Sequence, residues 1–503
     1  MNWREYPDLT RHSADSLRRS RYFLDWANMP HSFRHYEGVP VLDLPADPPV
    51  PEIPALEVLG GKAGETIARD GAAFLSQLLF YSAAISAVKR VPSTGDTYAL
   101  RVNPSSGNLH PTEFHFLARG LVHWPDGLYH YRPSSHMAEQ RALGDFAVKL
   151  GVPSPAVSLA PLVFVLTSIA WREAWKYRDR AYRYCLLDIG HAWQALALAA
   201  RARGCESFVV GHFQDDCVAE SCLLHEDEWP MLIAGVHGPT IPLRVPDTGE
   251  TVIFGGQANW LSSEVVPYPR IESIHAATKL GREATAIASG EPAPSGSGEI
   301  KVPSPASSLR TFGEVARTRR SALDFRGGHE SISLAQLATL LAAAAPPLCA
   351  DFEDDGDRAR GRFVQLYLYA HRVEGLAPGV YRYWPGRAEL EPSELGDQRL
   401  VAAALSLGQD LAGNACVAFS LIADIERATR SHGDRGYRSV HFEAGAICHR
   451  LYLAAESLGI RATGIGAFFD NEVHRYLGLV PEQGQVVYHF AIDHPVPDPR
   501  LEA

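Results

Sequence analysis

One segment of the chain occurs twice, and that duplication constrains the fold more than any other feature. The stretch from Tyr182, YRYCLLDIGHAWQALALAARARGCESFVVGHFQDD, aligns without a gap with the stretch from Tyr437, YRSVHFEAGAICHRLYLAAESLGIRATGIGAFFDN. At a constant offset of 255 residues, Arg183 meets Arg438, Gly190 meets Gly445, Gly204 meets Gly459, Gly211 meets Gly466 and Phe213 meets Phe468. Upstream, Asp179-Arg180 matches Asp434-Arg435, and GLYHYRP at Gly127 echoes GVYRYWP at Gly379. Solenoid repeats recur every ~20–50 residues, so a period this long is a duplicated domain. Between the copies, SGEPAPSGSGEIKVPSPASS is too rich in Pro, Gly and Ser to bury a core and reads as a connector. The expected layout is domain one at 1–285, a linker at 286–305 and domain two at 306–503.

Each half mixes two periodicities. LSQLLFYSAAIS, LAQLATLLAAAA and the two repeated segments are apolar at helical spacing, and Gly204 and Gly459 suit a left-handed cap after the repeated helices. TEFHFLARG, LVFVLTS, FVQLYLYAHRV, VAFSLIADI and VVYHFAI read as strands. The expected class is α+β, a layered arrangement of a central sheet flanked by helices.

Composition narrows the function. A net charge of -11 offers no electrostatic footprint for nucleic acid. No apolar run is long enough to span a bilayer, and the charged start MNWREYPDLTRHSADSLRRSRYF lacks the apolar core of a secretory signal, so a cytoplasmic protein is expected. Seven cysteines, an odd number with no CxxC pair, fit reduced thiols used for core packing. The 21 histidines show no HExxH or paired ligand pattern, so no catalytic metal is expected. Neither GxSxG nor a phosphate-binding P-loop is present.

Four constellations can carry chemistry. ARTRRSALDF offers Arg319, Arg320 and Ser321, bidentate and hydroxyl donors for a phosphate, although a solvated basic turn has the same composition. RVNPSSGNLHP makes a tight loop whose backbone N–H groups and Asn108 amide can meet a polar ring edge. ATGIGAFFD places Gly464 and Gly466 where a ligand can approach the backbone, but lacks the third glycine of a dinucleotide fingerprint; domain one has Val209 opposite Gly464. AWKYRDRAYRY sets Lys176 and Tyr177 beside three arginines, whose charge should lower their pKa values and suit a general base. Asp188 and Glu443 occupy equivalent positions on apolar helices and are expected to serve as structural hydrogen-bond acceptors.

Taken together these segments resemble the nitroreductase superfamily, and within it the SagB-type dehydrogenases. The resemblance covers both halves apart from the amino-terminal stretch and the linker. It implies two domains paired as an intramolecular pseudo-dimer around FMN, so that one chain can act as a monomer. Pro104, Ser105, Ser106, Asn108 and Pro111 resemble that superfamily's flavin loop. Arg319 and Ser321, with Arg320 between them, resemble its phosphate motif. Gly464-Ile465-Gly466-Ala467 resembles the segment beside the isoalloxazine, Gln409 an amide that reaches the flavin, and Arg500 a carboxy-terminal phosphate contact. Lys176-Tyr177 is similar to the pair implicated in oxidising azoline rings to azoles.

The parts segregate. Domain one keeps the loop, but reads NMPHSFRHYEG, with Pro30 and His31, where the phosphate motif should fall, although Ser32 and Arg34 survive; domain two keeps the arginines and glycines, but reads EDDGDRARGR where the loop should fall. The resemblance therefore implies one complete flavin site across the two domains and an empty or vestigial second one. The implied substrate is a small molecule or peptide. Two rivals stand beside this reading: an NAD(P)H-dependent nitro- or quinone reductase, and a non-catalytic protein that binds a ligand in the same fold.

Overall fold

The computed structural model describes residues 1–20, 22–92, 95–146, 150–152, 154–247, 249–281, 293–353 and 362–501. Part of the expected linker, 286–292, and most of EDDGDRARGR, 354–361, lie outside the described residues. Two antiparallel sheets form the body. The first runs Val252–Ile253, Met137–Leu143, Gly127–Arg132, Thr112–Ala118, Leu162–Ser168, Trp229–His237, Glu206–Val210, with Val41–Asp43 added against Met137–Leu143. The second runs Ile300–Lys301, Glu389–Leu395, Gly379–Trp384, Val364–Ala370, Val417–Ala423, Gln485–Asp493, Arg461–Ile465. Six strands correspond one to one, in the same order. All five stretches read as strands are strands. The second sheet takes its edge strand, Ile300–Lys301, from inside the stretch read as linker.

Between the sheets lie the two repeated helices, Ala181–Ala202 and Gly436–Ser457, each almost wholly buried. They are followed by Gly204 and Gly459, both at positive φ, as the sequence suggests. The helices pack on each other, and their closest approach is at equivalent glycines. A Cβ on Gly190 would lie 2.9 Å from Gly445 Cα and 2.2 Å from Phe442 O; one on Gly445 would lie 2.1 Å from Leu187 O. Only glycine at both positions lets the two backbones meet. Tyr6, fully buried, completes this junction with its ring edge-on to the equivalent Tyr182 and Tyr437 at 6.1 and 6.0 Å.

Two reciprocal ion-pair clusters lock the halves together. Arg180 and Arg183 of domain one grip Asp470 of domain two at 3.0 and 2.7 Å. At the equivalent positions, Arg435 and Arg438 of domain two grip Asp215 of domain one at 2.6 and 2.7 Å. All six side chains are buried, and the arginines hold both carboxyls well below the usual carboxylate range.

The pattern of LSQLLFYSAAIS is helical only in part. The helix Gly71–Phe80 stops, and Ile85–Arg90 pairs with Thr97–Arg101 in a hairpin not legible in the sequence. Cys349 is exposed and Cys217 half-buried, unlike the five core cysteines.

Removing one partner of a buried ion pair costs ~3–5 kcal/mol, because the other charge stays buried and unpaired. Asp470→Ala or Asp215→Ala each strands two arginines and should lower unfolding free energy by at least that much in urea denaturation. Asp397→Ala, an exposed control, should change it by less than ~0.5 kcal/mol. Equal effects would show that the clusters do not lock the domains.

Candidate functional site

A cavity of about 580 Å³ opens where the two domains meet, a size typical of ligand sites. Domain one contributes Asn103 and the loop Pro104–Asn108, the helix-end Tyr177, and Tyr184, Asp188 and His191 from its central helix. Domain two contributes Arg319–Ser321, Gln409, Gly464–Ala467, Tyr452 and Tyr488. The loop and the arginine motif, 215 residues apart in sequence, thus wall one space.

The loop is built to hold its shape. Gly107, Asn108 and His110 all have positive φ. Asn108 spends its amide inside the loop: Nδ2 donates to Ala99 O at 3.0 Å, and Oδ1 faces His110 Nε2 at 3.0 Å. It braces the turn, and the free acceptor facing the cavity is instead the buried Asn103 Oδ1. Asp188 secures the next turn, accepting from Ser105 Oγ at 2.6 Å, Ser106 Oγ at 2.9 Å and Ser106 N–H at 3.1 Å. Burial raises its pKa to about 7, against the lowering effect of those donors. Glu443, its equivalent, accepts from Phe363 and Val364 N–H at 3.0 Å each, so the two carboxylates each anchor the entry to a sheet strand.

The arginine motif bridges domains. Arg319 donates through Nε to Val102 O at 3.0 Å and through Nη2 to Arg101 O at 3.2 Å, while its buried Nη1 has no partner. A buried cationic N–H left unpaired costs ~1–3 kcal/mol, so Nη1 is a donor in want of an acceptor. Arg320 is spent on Ser86 and on backbone oxygens of the motif. Ser321 Oγ meets Tyr452 OH at 2.9 Å, and Tyr452 OH accepts Gly464 N–H at 2.8 Å. That chain ties the arginine motif to the glycine segment. Gly464 lies against the Tyr488 hydroxyl and Gly466 against the Tyr184 ring, 2.0 Å and 2.2 Å from any added Cβ. The glycines therefore make room for these two tyrosines. Gln409, which lines the cavity, donates through Nε2 to Ser406 O at 2.9 Å and Ala467 O at 3.2 Å.

Lys176 and Tyr177 end the helix Ala170–Tyr177 and cover the loop: Tyr177 OH and Lys176 Nζ stand 2.7 and 3.1 Å from where a Gly107 Cβ would be. Tyr177 lines the cavity. The expectation that arginines lower its pKa fails. Arg180 and Arg183 are turned onto Asp470, and Arg178 lies over Tyr22. Burial first, then Glu173, Tyr184 and Asp188, push the Tyr177 phenol well above its usual range. Arg500 stands outside the cavity wall, paired to Asp498 at 2.8 Å.

The equivalent space on the other side of the pseudo-twofold is filled. Val209 stands where the other cleft has Gly464, and the segment through Asp351 and Phe352 runs along its backbone. Val209 N donates to Cys349 O at 3.1 Å, Gly211 and His212 N–H donate to the Asp351 carboxylate, and Phe352 packs on Trp193. Arg34, the surviving arginine of the first-domain motif, is buried against Asp227 and Glu228. Elsewhere, Cys416, Asp493 and His494 bring ligand atoms within 4.8 Å, but Arg372 already neutralises Asp493 at 2.5 Å. Among the described residues, no helix is long and apolar enough to cross a membrane.

The donor set fits a flavin phosphate and ring: an unpaired buried guanidinium N–H, a serine, an unpaired amide acceptor and tyrosine rings line one cavity. Comparison with known proteins bears on the family. The nitroreductase family model matches twice, over residues 82–238 and 316–492. The chain is 37% identical to "Putative nitroreductase MJ1384" of Methanocaldococcus jannaschii over 119 residues, 23% of this chain and 59% of that protein. It is 30% identical to "Trifolitoxin operon protein TfxC" of Rhizobium leguminosarum bv. trifolii over 127 residues, 25% of this chain and 35% of that one. The chain thus spans about three fifths and one third of these curated relatives. A crystal structure of a nitroreductase-type protein from Anabaena variabilis superposes with a TM-score of 0.78 at 25% identity, covering 98% of this chain and 99% of that one. With its family fold present twice and matched across well over half its length, the chain belongs to the nitroreductase family.

Proposed function

We propose that this chain is an FMN-dependent oxidoreductase of the SagB type, holding one flavin between its two domains and oxidising azoline-like rings in a small molecule or peptide. The observation that supports it most is the joint wall: Asn103 and the Pro104–Asn108 loop from one domain face Arg319, Ser321 and the glycine segment from the other. Arg319 Nη1 and Ser321 would hold the phosphate, and Asn103, Gln409 and the glycine segment the ring. The flavin supplies a hydride acceptor. The chain's own work is then proton handling and placement. Oxidising an azoline removes a hydride and a proton. Tyr177, its phenol kept protonated by burial, donates a hydrogen bond that orients the ring nitrogen or sulfur. Lys176, beside it over Gly107 and outside the cavity wall, would take the proton as a neutral amine, so the step requires that it reach the ring deprotonated. Tyr184 and Tyr488 keep water from the glycine face.

The nitroreductase relatives favour a second reading, NAD(P)H-driven reduction of nitro or quinone groups, which needs the cavity but not the Lys176–Tyr177 pair. Lys176→Ala and Tyr177→Ala should each lower azoline oxidation by ~10²–10⁴-fold, as loss of a positioned proton-transfer group does. Nitroreductase turnover with NAD(P)H that survives both changes, with no azoline activity in the wild type, would favour the second reading.

Reconstitution should give one FMN per chain, scored by flavin absorbance against protein. Two per chain would contradict a filled second space. Arg319→Ala should weaken FMN by about tenfold or more, the loss expected for one charge-assisted hydrogen bond.

Asp188 adds a pH signature. Its folded pKa, about 7, lies above that of an ordinary carboxylate. Its contribution to stability is therefore full below about pH 4 and is lost as pH rises through about 7. Asp188→Asn should flatten the melting temperature profile across that window; an unchanged slope would show that the carboxyl does not titrate there.

A further inference from the structure

The carboxy-terminal arm of domain two crosses onto the domain-one hairpin at the rim of the cavity. Leu501 bridges Lys89 in antiparallel fashion, and Arg90 N–H donates to Arg500 O at 2.8 Å. The Asp498 carboxylate takes the Lys89 ammonium at 2.8 Å and is gripped by Arg500 through Nε at 2.8 Å and Nη2 at 2.9 Å. Of these three side chains only Lys89 lines the cavity. The hairpin is clasped from the other side by the arginine motif: Arg320 Nη2 donates to Ser86 O at 2.8 Å, and Arg319 Nη2 to Arg101 O at 3.2 Å. Lys89 thus lines the cavity from the hairpin that the arginine motif clasps.

We propose that Lys89 is a movable phosphate anchor for the flavin, resting on Asp498 until a phosphomonoester takes its place. The idea rests on the flavin reading above. An ammonium is a point charge on a flexible stem and can swing between two anions, whereas Arg500 is fixed on Asp498 by a two-point contact. Arg500 thus holds the resting counter-anion, in place of the direct phosphate contact expected from the sequence. The trio of Lys89, Arg500 and Asp498 carries one net positive charge, and a phosphomonoester carries close to two negative ones. Asp498 therefore competes with the phosphate for Lys89, and deleting its charge should favour the cofactor. A simple buttress at this position would give the opposite sign.

The test is flavin-fluorescence titration of the full-length apoprotein with FMN and with riboflavin, which lacks the phosphate. Lys89→Gln should weaken FMN about tenfold and leave riboflavin unchanged, and Lys89→Arg should retain most of the preference for FMN. Asp498→Asn should tighten FMN severalfold without affecting riboflavin. Thermal melts confirm that the variants fold. An unaltered FMN-to-riboflavin ratio in Lys89→Gln, equal loss of both flavins, or weaker FMN binding by Asp498→Asn overturns the anchor while leaving the flavin site standing. NADP⁺ serves as the third probe: protection by its phosphate in place of FMN's assigns Lys89 to the other nucleotide and overturns the proposal. Failure of the wild-type chain to bind either flavin overturns the flavin reading itself.

Discussion

Everything in this molecule is arranged about the contact between Gly190 and Gly445. Two long helices, each carrying one half of the protein, can lie against each other there because neither has a side chain in the way. Around that contact the duplicated sequence repeats its own interactions. Arg180 and Arg183 reach Asp470; Arg435 and Arg438 reach Asp215. This is the self-complementary pattern of a twofold dimer interface, in which each residue's contact is mirrored. Here it occurs within one chain. Buried ion pairs contribute little net stability but penalise mismatched arrangements heavily. The two clusters thus specify which faces of the domains meet, and the cavity is a consequence of that registration.

A fused pair is free to do what a homodimer cannot. In a homodimer both sites share one sequence and must be kept or lost together. Here the halves have diverged. One cleft keeps Gly464, a loop with positive φ at three positions, and an arginine with a free buried N–H. Its twin has Val209, an arginine ion-paired to Asp227 and Glu228 although its Nε also lacks a hydrogen-bond partner, and Phe352 packed on Trp193. The Asp351 carboxylate receives the N–H groups of Gly211 and His212 that correspond to the glycine segment of the other cleft. The filled cleft thus satisfies internally the backbone donors that an open one would offer to a ligand, at the cost of a second site.

Much of this was legible in the sequence. The repeat, the strands, both helix caps and the segregation of loop from arginines all follow from residue spacing, because duplicated backbone geometry preserves duplicated glycines and charges. What was hidden depends on three-dimensional neighbours. The loop asparagine that faces the cavity is Asn103 and not Asn108, since only the fold shows which amide is already used. Tyr177 follows a lysine and precedes an arginine in sequence, yet in the fold it is buried, and burial first, then Glu173, Tyr184 and Asp188, reverse the expected pKa shift. The hairpin at 85–101 continues an apolar run that reads as helix, and only pairing across it reveals a strand.

Arg178 shows how local strain and sequence can part company. Its φ of 54° matches the 57° of Gly433, its partner in the repeat. Domain two uses the residue type such a conformation favours; domain one uses an arginine, at a cost of ~1–3 kcal/mol. The strained residue directly follows Tyr177 and sets the turn that aims the helix end carrying Lys176 and Tyr177 over Gly107. Strain of this kind persists only where surrounding contacts over-determine the backbone, and here they do: Arg180 and Arg183, just beyond the turn, are fixed on Asp470. The same ion pairs that register the two domains therefore also hold the turn beside the cavity. Domain assembly and placement of the Lys176–Tyr177 pair are in this way two results of one set of contacts.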